Sequence, residues 1–225
     1  MLLEVENFYP RVLTYHFNLN PNIKLPKGVE WLNPYTEKET RDCMTSFYRE
    51  FYNDQRERTY ILGINPGRLG AGLTGVPFTD PICLADLGID NSFPKKHELS
   101  SIFIHEMISA CGGSADFFNR YYITSLSPLG FVKGGKNYNY YDDAALSQVI
   151  RPFIIESIEA QLKFGCDRSR VFCLGQGKNF DYLNKLNQEF QWWERVIPLP
   201  HPRWIMQYRL KRKEEFLVLY KKSLS

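Results

Sequence analysis

The side chains best suited to chemistry lie in two short motifs, Gly63-Ile-Asn-Pro-Gly67 and His201-Pro202. Asn65 directly follows an apolar run of β-type composition, so its amide is expected at the end of a strand, where it can hold a water molecule. His201 stands between two prolines just past another β-type run, which favours a functional imidazole. The remaining histidines are interpreted as structural: His16, His97 and His105.

A glycine-rich segment follows the first motif and ends at Phe78. It contains a literal Gly-x-Gly-x-x-Gly pattern, formed by Gly70, Gly72 and Gly75. In a dinucleotide-binding fold such glycines turn directly from a strand into a helix, whereas here the strand ends too early and Val76-Pro-Phe-Thr-Asp-Pro81 stands in place of a helix. The Gly-Lys-Ser/Thr ending of a phosphate-binding loop is also missing. Because glycine lets the backbone approach a flat ligand and the Phe78 ring can stack on it, the segment predicts a pocket for a flipped nucleobase.

Four short apolar runs of β type alternate with helical patterns. The runs are residues 58–64, 121–126, 171–174 and 195–199; the helical patterns cover residues 35–53, 100–111, 142–162 with Pro152 inside, 178–189 and a basic segment from about 207. This alternation is typical of parallel βαβ units. We therefore predict an α/β fold, a three-layer α/β/α sandwich with a four-stranded parallel central sheet.

Ligands of such sheets bind at the carboxyl ends of the strands. The unusual residues of this chain are found there: Asn65-Pro66-Gly67, residues 125–128, Gly175-Gln-Gly177 and His201-Pro202-Arg203. Their convergence is the strongest argument from the residues alone for a functional site at this edge.

The N-terminal part of the chain is predicted to be irregular over residues 1–34, since prolines break any long element there. The whole chain, residues 1–225, is expected to form one domain. Residues 1–55 are expected to contribute an irregular segment and one helix packed on the rest.

The composition sets limits on partners and cofactors. A net charge of +3 and a pI near 8.5 are compatible with an anionic partner without demonstrating one. The N-terminus lacks the pattern of a signal peptide and no apolar run is long enough to span a membrane, so a cytoplasmic protein without a membrane partner is expected. Five widely spaced cysteines without a Cys-x-x-Cys pair argue against a disulfide framework, a structural metal or an iron–sulfur cluster. We expect a monomer that uses no cofactor.

The first motif, together with Thr74-Gly-Val-Pro-Phe78, resembles the first motif of the single-strand-selective monofunctional uracil-DNA glycosylases. Tyr122-Ile-Thr-Ser-Leu-Ser-Pro-Leu129 resembles the strand that reads the base in that family, and Val171-Phe-Cys-Leu-Gly175 resembles its next core strand. His201-Pro202 resembles its second catalytic motif. The resemblance covers residues 59–207 and implies the fold of the uracil-DNA glycosylase superfamily.

The resemblance also implies roles for individual residues. Asn65 would position the hydrolytic water, and Phe78 would stack on uracil. His201 would hydrogen-bond the carbonyl of the base as negative charge builds there. Three residues would line the pocket through their backbone: Gly63, Ile64 and Gly67.

Two departures from the family pattern indicate a divergent bacterial-type branch. Where the family's base-reading strand usually carries an asparagine, this chain has Ser125, whose hydroxyl reaches less far than an amide. A roomier pocket that also accepts xanthine or hypoxanthine is therefore expected as an alternative to strict uracil selectivity. After His201 the chain reads Pro-Arg-Trp-Ile-Met instead of Pro-Ser-Pro-Arg. The candidates for contact with DNA are Arg203, Trp204 and Ile205, any of which could fill the gap left by a flipped nucleotide, and Arg68.

The sequence thus predicts a monofunctional DNA glycosylase that hydrolyses the N-glycosidic bond of uracil, or of another deaminated base, in DNA and so initiates base excision repair. No lysine nucleophile is needed, so the product is an abasic site in an uncut strand. Two alternatives remain: a non-catalytic nucleic-acid-binding module on the same fold, and a nucleotide-binding enzyme that uses the glycine segment. The basic run Arg209-Leu-Lys-Arg-Lys213 fits either a phosphate track or a solvated helix face.

Overall fold

The structure is a computed structural model that describes residues 6–225. Its strands are β1 (Val29–Leu32), β2 (Arg58–Gly63), β3 (Tyr121–Ser125), β4 (Gly130–Lys133), β5 (Lys136–Tyr138), β6 (Cys166–Leu174) and β7 (Val196–Leu199). Its α-helices are α1 (Phe8–Phe17), α2 (Lys38–Phe51), α3 (Ala71–Thr74), α4 (Pro81–Asp86), α5 (Leu99–Ala110), α6 (Ser114–Arg120), α7 (Ala144–Leu162), α8 (Lys178–Phe190), α9 (Pro202–Tyr208) and α10 (Lys213–Leu224). Within residues 6–225, no helix has the length and apolar character needed to cross a bilayer.

A sheet with strand order β3-β2-β6-β7 forms the middle of the fold, and all its neighbouring strands are parallel. β2 is buried along its whole length, as expected for a strand covered on both faces. Helices flank this sheet, so the predicted three-layer α/β/α sandwich with a four-stranded parallel central sheet is confirmed.

The start of β2 is anchored by a charged residue, Arg58, which is fully buried. Its guanidinium donates hydrogen bonds to the carboxylate of Asp54 at 2.9 and 3.0 Å and to the carbonyl of Phe118 at 2.7 Å. The same group lies 4.7 Å from the ring centres of Phe8 and Tyr52. A buried charge is tolerated when it is paired and hydrogen-bonded in this way.

The prediction that residues 1–34 are irregular is wrong for the described part, because α1 and β1 lie there; residues 1–5 lie outside the described residues. Pro10 is compatible with α1 because it stands in the first turn, where a backbone N–H has no acceptor within the helix. Phe8 and Val12 are fully buried, and α1 packs against α2 and α7.

A second, antiparallel sheet of order β1-β4-β5 was not predicted from the sequence. Its hairpin turns at Gly134 and Gly135, which both have positive φ, as the tightest hairpin turns require. β1 pairs with β4 across a long stretch of chain, with Glu30 opposite Val132. This sheet lies beside the first motif, because Asn65 donates a hydrogen bond to the carbonyl of Tyr138 at the end of β5.

The end of the chain also differs from the prediction of one basic helix from about residue 207. α9 begins at Pro202, a 3₁₀ turn follows at Leu210–Arg212, and α10 completes the chain. In the glycine-rich segment the short helix α3 was not predicted. It starts at Ala71, well after β2 ends at Gly63, so the direct strand-to-helix turn of a dinucleotide-binding fold does not form.

Candidate active site

The carboxyl ends of β3, β2 and β7, with β6 between the last two, hold the predicted site residues. Gly63, at the end of β2, pairs with Ser125, at the end of β3. Asn65 follows β2 by two residues, and His201 follows β7. The parallel sheet thus brings together side chains from distant parts of the sequence, as predicted.

Gly63 and Phe78 are in close contact at the end of β2. A Cβ atom on Gly63 would lie 2.7 Å from Cε2 and 2.8 Å from Cζ of Phe78 and 3.4 Å from Oγ of Ser125. Phe78 itself has a φ of 53°, in the left-handed region that favours glycine. The glycine therefore leaves the space in which this ring lies, and the ring centre is 6.2 Å from that of His201.

The amide of Asn65 is held in one orientation by the segment around β5. Its Nδ2 donates to the carbonyl of Tyr138 at 3.2 Å, and its Oδ1 accepts from the backbone N–H of Tyr140 at 3.2 Å. These opposite hydrogen bonds distinguish the two ends of the amide. Because Oδ1 has a second lone pair, it can still accept a hydrogen bond from a water molecule.

His201 caps the N-terminus of α9. Its Nδ1 accepts a hydrogen bond from the backbone N–H of Arg203 at 3.1 Å, so the proton of the neutral ring is on Nε2. Burial lowers the pKa of His201 to about 4, and the positive charge of Arg203 acts in the same direction. At neutral pH the residue is thus an uncharged donor through Nε2–H.

A pocket of about 320 Å³ opens between these groups. It is lined by Ile64, Asn65, Gly67, Phe78, Glu98, Ser100, Asn137, Asn139, Tyr141, His201, Arg203, Trp204, Gln207 and Tyr208. A second pocket of about 350 Å³ borders it and shares four of these residues, Ile64, Tyr141, His201 and Trp204. The first pocket combines an oriented amide, a neutral imidazole donor and an aromatic ring in one concave site.

The model of the uracil DNA glycosylase superfamily matches residues 49–225 of the chain. The chain belongs to this superfamily. Its structure is similar to the crystal structure of wild-type SMUG2 from Pedobacter heparinus, with a TM-score of 0.94 and 42% sequence identity over 97% of each chain. A comparison with the curated proteins gives no match.

These findings confirm the family resemblance and the enzyme class that the sequence predicted: the protein is a DNA glycosylase of the uracil-DNA glycosylase type. They give no support to the alternative of a non-catalytic binding module. The glycine segment that suggested a nucleotide-binding enzyme is the loop that carries Phe78 to the pocket of this glycosylase.

Ser125 is buried beside Gly63 and is not among the residues that line the pocket; its hydroxyl makes no hydrogen bond to any residue in the described part of the chain. The neighbouring Thr124 is different. Its hydroxyl is buried and donates to Oε1 of Gln161 at 2.7 Å. Of the two hydroxyls, only that of Ser125 has no hydrogen-bond partner among residues 6–225.

The residues predicted to contact DNA differ in exposure. Arg203 and Arg68 are exposed, and neither guanidinium has a hydrogen-bond or ion-pair partner in residues 6–225. Trp204 is 39% exposed and its ring is covered on one side by the guanidinium of Arg209, 4.8 Å from the ring centre. Ile205 is fully buried, so its side chain does not reach the surface that DNA would approach.

Several pocket residues that were not predicted as site residues come from the second sheet and the segment after it. Asn137 is on β5, and its Oδ1 accepts from the backbone N–H of Arg68 at 3.0 Å, which ties the hairpin to the loop after Asn65. Asn139 and Tyr141 follow on the same segment. Gly134-Gly135 was the one local signal for this hairpin.

Glu98 was also missed, and Asp80 determines its position. The buried Asp80 caps α4 through Oδ1, while its Oδ2 accepts from the backbone N–H of Glu98 at 2.8 Å and lies 3.3 Å from Nδ1 of His97. Burial alone would raise the pKa of Asp80, but these hydrogen bonds lower it below its ordinary value. Asp80 thus joins the end of the loop carrying Phe78 to the start of α5.

Proposed function

We propose that this glycosylase releases uracil from DNA by hydrolysis of the N-glycosidic bond, with Asn65 and His201 as its catalytic residues. The observation that carries the proposal is the hydrogen bond from the Arg203 backbone to Nδ1 of His201, which makes the imidazole a neutral donor beside the Phe78 ring. The partner is DNA containing a deaminated base, and the reaction initiates base excision repair.

In the proposed reaction the target nucleotide leaves the base stack and its base lies against Phe78. Extrusion costs a few kcal/mol. As the bond between C1′ and the base nitrogen breaks, negative charge develops on the base. The Nε2–H of His201 donates to the base carbonyl and stabilises this charge, and loss of one such donor typically costs about 10²–10³ in rate.

Asn65 acts on the opposite partner of the reaction, the water. Its amide does not take up a proton near neutral pH, so it orients the water toward the electron-deficient sugar. The hydrogen bonds to Tyr138 and Tyr140 hold Oδ1 in place for this task. The contribution of His201 and Asn65 therefore rests on stabilising the leaving base and orienting the water, and not on removal of a proton from the water by Asn65.

Ser125 determines the range of bases in this proposal. Its free hydroxyl can donate or accept a hydrogen bond at the base edge but fills less space than an amide. With a pocket of about 320 Å³, xanthine and hypoxanthine are proposed as further substrates.

At the pocket rim, Arg68 and Arg203 are proposed to contact phosphates, and Trp204 to fill the gap left by the flipped nucleotide. The backbone of Gly63, Ile64 and Gly67 lines the base site. We further propose that the enzyme works as a monomer in the cytoplasm; the five free cysteines, four of them buried, fit a reducing compartment.

The test is base release from oligonucleotides that carry one uracil, xanthine or hypoxanthine, with and without hot alkali. The expected result is strand cleavage at uracil only after alkali, because a monofunctional enzyme leaves an uncut abasic strand. Cleavage of the xanthine or hypoxanthine strand would establish the wider base range. An intact uracil strand after alkali would contradict the proposed function.

A further inference from the structure

Among the described residues that line the active-site pocket, Glu98 is the one with a carboxylic acid side chain. It directly precedes α5 and is partly buried. The main chain of Glu98 is fixed by its hydrogen bond to the buried Asp80. A carboxylate in a pocket that must approach DNA phosphates is electrostatically unfavourable, so its presence calls for a role.

The Glu98 carboxylate lies directly on the loop that carries Asn65. A Cβ atom on Gly67 would be 3.7 Å from Oε1 of Glu98, and a Cβ atom on Gly70 would overlap the same carboxylate. Oε2 accepts a long hydrogen bond of 3.4 Å from Ser101, while Oε1 has no hydrogen-bond partner in residues 6–225. The absence of a side chain at Gly70 leaves room for Oε2, and the absence of one at Gly67 leaves the space beside Oε1 open.

The proposed reaction needs a proton acceptor that the two catalytic residues do not supply. Water that attacks C1′ must lose a proton, and the amide of Asn65 cannot take it. The Nδ1 of His201 is already occupied by the Arg203 N–H, and its Nε2 carries a proton. Arg203 carries a positive charge, and burial raises the pKa of Tyr141 to about 12, so neither group accepts this proton.

We propose that the Glu98 carboxylate accepts the proton that the attacking water loses, directly or through one further water molecule. The inference rests on the proposed function. The bond between C1′ and the base nitrogen breaks and its electron pair leaves with the base. The water oxygen forms the new bond to C1′, and one water proton moves to Glu98, which later releases it to solvent.

The surroundings of Glu98 suit this role. Burial raises the pKa of its carboxyl, the positive charge of Arg203 on α9 opposes that rise, and Asp80 reinforces it. Arg203, Tyr141, Tyr208 and His201 are the other titratable groups that line the same pocket. A carboxylate with a raised pKa binds a proton more readily.

The test compares Glu98→Gln with the wild type under single-turnover conditions on a uracil oligonucleotide, from mildly acidic to neutral pH. The expected result is a rate loss of about 10²-fold at neutral pH, the lower end of what general base catalysis supplies. Wild-type rates should also fall at acidic pH as Glu98 becomes protonated. The rate of the variant should not show this acidic limb of the pH–rate profile. Glu98→Asp keeps a carboxylate and should retain the limb with part of the rate.

Two controls separate the outcomes. Glu50→Gln removes the same charge from the exposed end of α2 and should leave the rate and its pH profile unchanged. If Glu98→Gln matches the wild-type rate and pH profile, or if it changes only the Kd for DNA, the inference is overturned. Absence of uracil release by the wild type would instead refute the proposed function.

Discussion

The Nδ1 atom of His201 accepts a hydrogen bond from the backbone N–H of Arg203, two residues further along the chain, at 3.1 Å. This one contact caps α9 and fixes the tautomer of the imidazole. Because Pro202 occupies the first position of α9, where a missing N–H costs nothing, the His-Pro pair is suited to both tasks.

Replacing His201 should slow base release without weakening DNA binding to the same extent. His201→Ala removes the donor to the departing base, so the single-turnover rate should fall by about 10²–10³. His201→Gln keeps an N–H donor and should retain part of the rate. An alanine variant as fast as the wild type would show that the imidazole does not stabilise the leaving base.

Gly63→Ala should inactivate the enzyme by displacing the Phe78 ring, since the added Cβ would lie only 2.7 Å from a ring carbon. Gly88→Ala is the matched control. Gly88 has a φ of 80° and nothing within 4 Å of an added Cβ. The Gly88→Ala variant should therefore lose about 1–2 kcal/mol of stability, because alanine is strained at this φ, and should keep its activity. Thermal unfolding and uracil release are measured on both; equal activity of the two variants would contradict this role of Gly63.

Trp204→Ala should slow uracil release from duplex DNA by roughly tenfold, and less from single-stranded DNA, where no gap in a base stack has to be filled. Val218→Ala serves as control because Val218 is also an exposed apolar side chain, 68% accessible, but lies on α10 and not on the pocket rim. An equal loss on both DNA forms would assign Trp204 to general DNA binding.

His16 should make the protein less stable in acid. Its ring is fully buried, its Nδ1 is bonded to the carbonyl of Val12, and burial lowers its pKa from 6.5 to about 4. Between these two values the unfolded chain binds a proton that the folded chain does not, so the free energy of unfolding falls as the pH falls. The slope is at most about 1.4 kcal/mol per pH unit for one such histidine.

His16→Phe should flatten this slope, because a phenyl ring can occupy the space between Tyr15 and Tyr35 without titrating. Chemical denaturation at a series of pH values checks it. His105 and His201 also have pKa values lowered to about 4 and should account for the slope that remains. An unchanged slope in the variant would contradict the assignment to His16.

The central sheet and the core of the site could be predicted because their signals are local. Each parallel strand is a short apolar run, and each ends at residues with special backbone or polar properties, such as Asn65 and His201. Parallel pairing then brings these ends to one edge. α1 was missed because Pro10 reads as a helix breaker, although a proline in the first turn loses no helical hydrogen bond.

The contributions of the second sheet and of Glu98 depend on contacts between distant parts of the chain. β1 pairs with β4 about a hundred residues later, which no local pattern indicates. The amide of Asn65 is oriented by backbone groups of Tyr138 and Tyr140, and any residue type could supply those. Glu98 precedes a helix like many surface glutamates, and only the folded structure shows that its carboxylate lies against Gly67 and Gly70.

The most direct test of the central claim is the single-turnover rate of uracil release from a single-stranded oligonucleotide by the wild type and Asn65→Ala. The account predicts release by the wild type and a loss of about 10²-fold or more in the variant, the size of effect expected when a reacting group is misplaced by about 1 Å. Equal rates in the two proteins would contradict the claim that the amide of Asn65 positions the water.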